Sequence, residues 1–160
     1  MSSTLAGPSR GSVTDCPSRQ AFTLVEIMVV VVIIGLLATL GIPSLMRVRE
    51  RSQASRLAND FRQFEAAFQR YALEDGQWPP PDNPGVIPAG MTGYLPDSFT
   101  HTSPLSGNYQ WSGPSRMILL RNSRATDAIM TRVDAILDDG DLTTGEFTKT
   151  AGLGYHLRVR

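Results

Sequence analysis

Two groups of residues in this 160-residue chain have types and spacings suited to chemistry, and both are acidic. The first is one carboxylate, Glu26, at the start of an otherwise uncharged segment: the 20 residues from Ile27 to Met46 carry no charge. At about 1.5 Å per residue that run reaches about 30 Å, the hydrocarbon thickness of a bilayer, so it is a membrane-span candidate. A carboxylate in the first turn of such a helix costs on the order of several kcal/mol unless it is neutralised or paired, and the natural partner is an amine. The plainer alternative is a carboxylate at headgroup level, stabilised by the helix macrodipole and needing no partner.

The second group is Asp134, Asp138, Asp139 and Asp141 around Gly140, followed by Glu146. Clustered carboxylates on a turn suit Ca²⁺, a hard cation that takes about six to eight oxygen ligands, and the set Asp138, Asp139, Asp141 and Glu146 is the candidate site. It is not an EF-hand. Gly140 and Glu146 have the right separation, but Ala135 and Leu137 fall at the first and third ligand positions and cannot coordinate. The alternative is a solvated helix end, with Asp138 and Asp139 stopping the helix and Gly140 supplying a positive φ. Carboxylates at a helix C-terminus oppose the dipole, which favours a compensating cation.

The elements that must position these groups follow from periodicity. Residues 22–46 read as a transmembrane helix, too long and too β-branched for a secretory h-region and closed by Arg47, Arg49 and Arg51. Residues 47–75 continue it: Leu57, Phe61, Phe64, Phe68 and Tyr71 alternate at spacings of four and three, a stripe that covers one face of a sheet. The whole makes one helix of roughly 50 residues. Gly76-Gln77-Trp78-Pro79 ends it. Residues 76–107 form a Pro- and Gly-rich loop, and Trp78, Val86, Ile87, Met91, Tyr94 and Leu95 are too apolar for a free linker. Residues 108–160 read as a small antiparallel sheet: strands at 108–111 and 117–120 around Ser112-Gly113-Pro114-Ser115, a helix at 125–137 with Thr126 as cap, then strands at 146–150 and 155–160 joined across Gly152-Leu153-Gly154.

The segment Phe22-Thr23-Leu24-Val25-Glu26, placed after a short polar leader and before an apolar helix, resembles the type IV pilins and type II secretion pseudopilins. Pro43 falls where that family has a helix-kinking proline. Ala21 departs from the family, which has Gly there. The resemblance implies an α+β, pilin-like fold, with a long, partly transmembrane helix packed on a small C-terminal antiparallel sheet with one short extra helix. It also implies cleavage of the leader 1–21 between Ala21 and Phe22 by a prepilin peptidase, N-methylation of Phe22, and neutralisation of Glu26 by the Phe22 amine of a neighbouring subunit. The implied partners are other pilin-like subunits, the peptidase, an inner-membrane assembly platform and the membrane itself. Some secretion pseudopilins are similar, too, in carrying calcium in their C-terminal loops.

Charge and cysteine usage narrow the reading. Without residues 1–21 the chain has 13 basic and 14 acidic side chains, a balance that gives no reason to expect a nucleic-acid partner. Cys16 is the single cysteine and lies in the leader, so no disulfide forms in the remainder, which points towards pseudopilins or minor subunits rather than disulfide-looped adhesive pilins. Asp15 before Cys16, with no apolar segment ahead of it, rules against a lipoprotein signal. Catalysis has no support: His101 and His156 are isolated, and Ser103, Ser106, Ser112 and Ser115 sit in turn-like contexts, so each reads as a surface or turn residue. One conflict concerns topology. Arg10 and Arg19 precede the span while Arg47, Arg49, Arg51 and Arg56 follow it, so the positive-inside rule places the C-terminal part in the cytoplasm, whereas the resemblance implies the periplasm.

Two function classes remain open. One is a structural subunit of a secretion pseudopilus or related fibre, polymerised through helix 22–75. The other is a singly anchored envelope protein whose C-terminal domain binds a ligand or partner. Glu26 and Phe22 separate them, because a mere anchor has no use for an intramembrane carboxylate beside a new amine.

Overall fold

The computed structural model describes residues 22–160, apart from the side-chain surroundings at positions 40, 41 and 43. The leader 1–21 and Ala21 therefore lie outside the described residues, as does the side chain of Pro43. Helix α1 (Leu24–Asp75) takes in both the apolar run and the aromatic stripe. The chain divides into two units between Gly41 and Ile42, and each is considered by itself.

In the first unit α1 is long and apolar enough to cross a membrane, and every described side chain from Phe22 to Thr39 is exposed. Among the described residues no protein face takes up these side chains, as a helix whose solvent is lipid requires. The Thr39 hydroxyl donates to the Gly35 carbonyl at 2.9 Å, which satisfies it inside the apolar run.

In the second unit the stripe is the core face of α1. Leu57, Phe61, Phe64 and Phe68 are fully buried, and Tyr71 packs at the margin. Their partners lie on a four-stranded antiparallel sheet of β1 (Asn108–Trp111), β2 (Met117–Arg121), β3 (Phe147–Thr150) and β4 (Gly154–Arg158), in the order β1-β2-β4-β3. Helix α2 (Asp127–Leu137) connects β2 to β3. Strand alternation sends Tyr109, Trp111, Ile118, Leu120, Phe147, Tyr155 and Leu157 into the core. Phe68 stacks on Trp111 with centroids 4.0 Å apart, and Phe61 meets Phe147 edge-on at 5.3 Å. Each buried aromatic or leucine contributes about 1.5–3 kcal/mol of transfer free energy, and each aromatic pair about 0.5–1.5 kcal/mol more.

The long loop is packed, as its apolar content predicts. Met91, Leu95 and Phe99 are buried, the last on a short 3-10 turn at Asp97–Thr100; Val86 alone of the expected residues stays largely exposed. The loop also closes a sheet edge: the amides of Asp82 and Gly85 donate to the carbonyls of Trp111 and Tyr109. The Lys149 amide, on the opposite edge strand, is taken by the Leu142 carbonyl at 2.8 Å. With these edge groups paired, the sheet offers less of a template for another strand.

The structure moves several sequence-based boundaries by one or two residues. Helix α2 begins at Asp127 rather than 125, with Thr126 in the capping position but making no side-chain cap bond. β3 begins at Phe147 rather than 146, and β4 runs Gly154–Arg158 rather than 155–160. Gly113, in the β1–β2 turn, has φ +61, and a Cβ there would strike Pro81, so the turn and the helix-ending prolines fit only around glycine.

Candidate functional site

The first candidate group is built within one helical turn. Thr23 caps α1: its backbone N–H and hydroxyl both donate to Glu26 Oε2, at 2.9 and 2.8 Å, while the Glu26 amide donates back to the Thr23 hydroxyl at 3.3 Å. This is a capping box, in which Thr and a Glu three residues on satisfy two of the donors that a helix start leaves open. The Thr-x-x-Glu spacing ahead of an apolar run is the sequence signal for it, and a reading of Glu26 for membrane depth alone misses it. The box occupies Oε2 and Phe22 is exposed at the same end.

The second group is assembled by tertiary structure. Asp134 lies on the inner face of α2, fully buried, and neither of its carboxylate oxygens has a hydrogen-bond partner. Asp138, which ends α2, and Asp139 come to it from the following turn, so that one oxygen of each of the three carboxylates lies within 4.8 Å of the others. Burial, and then the charges of Asp139, Asp138 and Asp141, push the Asp134 carboxyl up to about 6. Asp139 is held below the ordinary carboxylate range by hydrogen bonds from the Thr144 hydroxyl and the Asp141 amide, and Asp141 by the Thr143 hydroxyl and amide. Asp138 accepts the Glu146 amide, and a Cβ at Gly145 would collide with that carboxylate. The loop thus sets two carboxylates held in their ionised form, Asp139 and Asp141, beside a buried one whose ionisation burial and neighbouring charge oppose. That is a donor set for a hard divalent cation, and the unpartnered oxygens of Asp134 are the observation that fits one.

This geometry differs from the set Asp138, Asp139, Asp141 and Glu146. Asp134 joins the cluster, whereas Glu146 stands outside it: its Oε1 is taken by Arg160 at 2.9 Å, its Oε2 is buried without a partner, and the residue lines a cavity of about 340 Å³ with Arg62 and Glu65. Asp141 is occupied with Thr143, whose hydroxyl lies 2.7 Å from its Oδ1. The choice between Asp134 and Glu146 depends on β4 delivering Arg160, which nothing local in the loop announces.

His156 is not the surface or turn residue that its isolation suggested. It lies on β4, opposite Leu119 and Thr148, buried, with Nε2 3.0 Å from the Thr148 hydroxyl; burial lowers its pKa below the usual 6.5. His101 is exposed and lines a cavity of about 410 Å³ with Arg56, Asp60 and Tyr109, where the Tyr109 hydroxyl donates to Asp60 at 2.8 Å. The serines serve turns, as expected: Ser103 donates to the Ser106 carbonyl, and Ser112 accepts the Met117 amide.

A capped apolar helix that opens on Phe22-Thr23-Leu24-Val25-Glu26 and continues as the core helix of a small α+β domain defines a prepilin-like subunit. Residues 16–42 match the family model described as the prokaryotic N-terminal methylation motif. The chain is 31% identical over 110 residues to the type II secretion system core protein G of Klebsiella michiganensis, covering 62% of this chain and 77% of that protein. It is 36% identical over 95 residues to the protein of the same name from Escherichia coli (strain K12), covering 59% and 60%, and 39% identical over 61 residues to that of Klebsiella pneumoniae, covering 38% and 44%. The chain belongs to the family of type II secretion system core protein G, the pseudopilins. No solved structure matches it significantly.

Proposed function

We propose that the chain is a non-catalytic structural subunit of a type II secretion pseudopilus. A prepilin peptidase cuts it between Ala21 and Phe22, helix α1 holds it in the inner membrane with the C-terminal domain in the periplasm, and it polymerises with other pilin-like subunits on an inner-membrane platform. The observation that carries this reading is the opening of α1, where Phe22 stands four residues ahead of a carboxylate, at the start of an apolar helix that no face among the described residues covers. The amine released at Phe22 neutralises Glu26 of the neighbouring subunit, which offsets the cost of a carboxylate at membrane depth. Within the free subunit the Thr23 box gives Oε2 hydrogen bonds but leaves the charge unneutralised.

Intact-mass and N-terminal analysis of the membrane-extracted chain, expressed with and without a prepilin peptidase, tests the route. A chain starting at N-methylated Phe22 only when the peptidase is present supports it. An uncut chain would mean that Ala21 blocks processing, and the anchored binding-protein reading would take its place.

We further propose that Asp134, Asp138 and Asp139 hold a calcium ion in the α2–β3 loop. The ion would neutralise the charge that burial makes costly at Asp134 and tie the end of α2 to the turn before β3. The unpartnered oxygens of Asp134 support this reading.

A further inference from the structure

The four arginines behind the span oppose the orientation proposed above, and neither fibre assembly nor the calcium loop makes use of them. Arg47, Arg49 and Arg51 follow Met46 directly and are exposed. Among the described residues none of the three forms a salt bridge, whereas the one acid in their midst, Glu50, is neutralised by Arg132 of α2 at 3.2 Å. The three therefore leave a net positive charge at the polar end of the apolar run.

Their placement on the helix identifies the kind of partner. At about 100° per residue Arg51 lies about 40° from Arg47, while Arg49 lies about 160° away on the opposite side. A single peptide or protein face meets one side of a helix; a layer of lipid headgroups surrounds it. Along the axis, Arg47 to Arg51 spans about 6 Å, which matches the 5–7 Å or so of headgroup region on one side of a bilayer. Arg56 lies about 13 Å beyond Arg47, outside that layer, and lines the cavity that also holds Asp60 and Tyr109.

We propose that Arg47, Arg49 and Arg51 form a collar that binds the phosphate groups of anionic phospholipids. The proposal rests on the reading of residues 22–46 as a membrane span. Arginine suits the role because it stays charged and its long stem lets the charged head reach the interface. The collar also accounts for the reversed charge bias: the arginines act as an anchor in the headgroup layer reached after translocation.

The test uses the full chain reconstituted into phosphatidylcholine vesicles that carry a trace of spin-labelled phosphatidylglycerol or spin-labelled phosphatidylcholine. Flotation and resistance to carbonate first establish that the chain is integrated; loss of integration sinks the span reading itself, independently of the collar. For the integrated chain the expected result is a preference of about three-fold or more for phosphatidylglycerol at low salt, abolished near 1 M salt, where the screening length shrinks to about 3 Å. The Arg47→Gln/Arg49→Gln/Arg51→Gln variant should show no preference, and the corresponding triple Arg→Lys variant should retain it, since a headgroup layer reads charge rather than one forked geometry. Near-UV circular dichroism checks that the domain of each variant is folded. A ratio of one for the wild type, or an undiminished ratio in the Gln variant, overturns the proposal. Loss of subunit cross-linking in the Gln variant with lipid preference intact would make the arginines protein contacts and overturn it equally.

Discussion

Helix α1 presents the same kinds of side chain to two different solvents. Between Ile27 and Thr39 it carries no charge on any side, and each of its side chains is exposed. Between Ala54 and Phe68 it is amphipathic, with Leu57, Phe61, Phe64 and Phe68 fully buried and arginine, glutamine and acidic residues on the other faces. The acids show the same contrast. Glu26 is exposed and satisfied within its own turn, while Asp134 is buried and has no hydrogen-bond partner. An apolar or acidic residue therefore has no fixed meaning along this chain; its energy depends on whether lipid, water or the domain core surrounds it.

The largest effect that can sharpen this contrast comes from truncating one residue on each side of it. Phe61→Ala removes a ring that meets both Tyr109 and Phe147 and should cost the domain about 3–5 kcal/mol in urea unfolding followed by tryptophan fluorescence. Ile33→Ala, in the exposed apolar run, should leave that midpoint within about 0.5 kcal/mol. Equal effects of the two substitutions would break the comparison, because they would mean that the apolar run packs on the domain.

The next largest effect concerns the buried acid. With calcium at about a hundred times its dissociation constant, the wild-type domain should gain about 2.7 kcal/mol over the same protein in chelator. Asp134→Asn should lose most of that gain. In chelator the same variant should equal or exceed the wild type in stability, since it removes a buried charge repelled by Asp138, Asp139 and Asp141. A variant that is less stable in chelator and still responds to calcium would place the cation elsewhere.

His156 gives a smaller, pH-dependent effect. In the unfolded chain the imidazole titrates near 6.5, and burial sets it lower in the domain. Below 6.5 the unfolded state then binds more protons than the native state, so the contribution of His156 is full above 6.5 and is lost as pH falls from there through the lowered native value. His156→Gln should lose less stability than the wild type between about pH 7.5 and 5.5, a window chosen around the ordinary histidine range. Chelator-treated protein keeps the cation out of the comparison. Parallel pH profiles would mean that water already reaches the ring.

These regions also differ in how far they can be read from sequence. The features of residues 22–46 are linear: the order Phe22 to Glu26, the apolar length and the arginines that close it all lie in adjacent positions. The stripe from Leu57 to Tyr71 and the strand alternation at Tyr109 and Trp111 are periodic, so local spacing reveals which face is buried. The sheet order is not local. Turn signals pair β1 with β2 and β3 with β4, but the junction in which Leu119 faces His156 depends on how α2 returns the chain. The carboxylate cluster fails to show for the same reason: Asp134 enters it from the inner face of a helix, and Glu146 stands outside it with one oxygen held by Arg160, fourteen positions on. The Asp60–Tyr109 pair spans 49 positions and has no sequence signal at all.

The smallest effect belongs to the Glu50–Arg132 pair, which joins α2 to α1 just beyond the span. Both side chains are substantially exposed, at 39% and 48%, so solvent screening limits the pair to about 0–1 kcal/mol. Arg132→Gln should therefore shift the unfolding midpoint little, and by less still at high salt. Its effect on lipid should be easier to see. Glu50 would regain its charge among Arg47, Arg49 and Arg51, and the preference for phosphatidylglycerol should fall below the wild-type ratio while remaining above that of the triple Gln variant. An unchanged ratio together with a large loss of stability would reverse the assignment, making the pair a structural clamp and leaving the collar indifferent to Glu50.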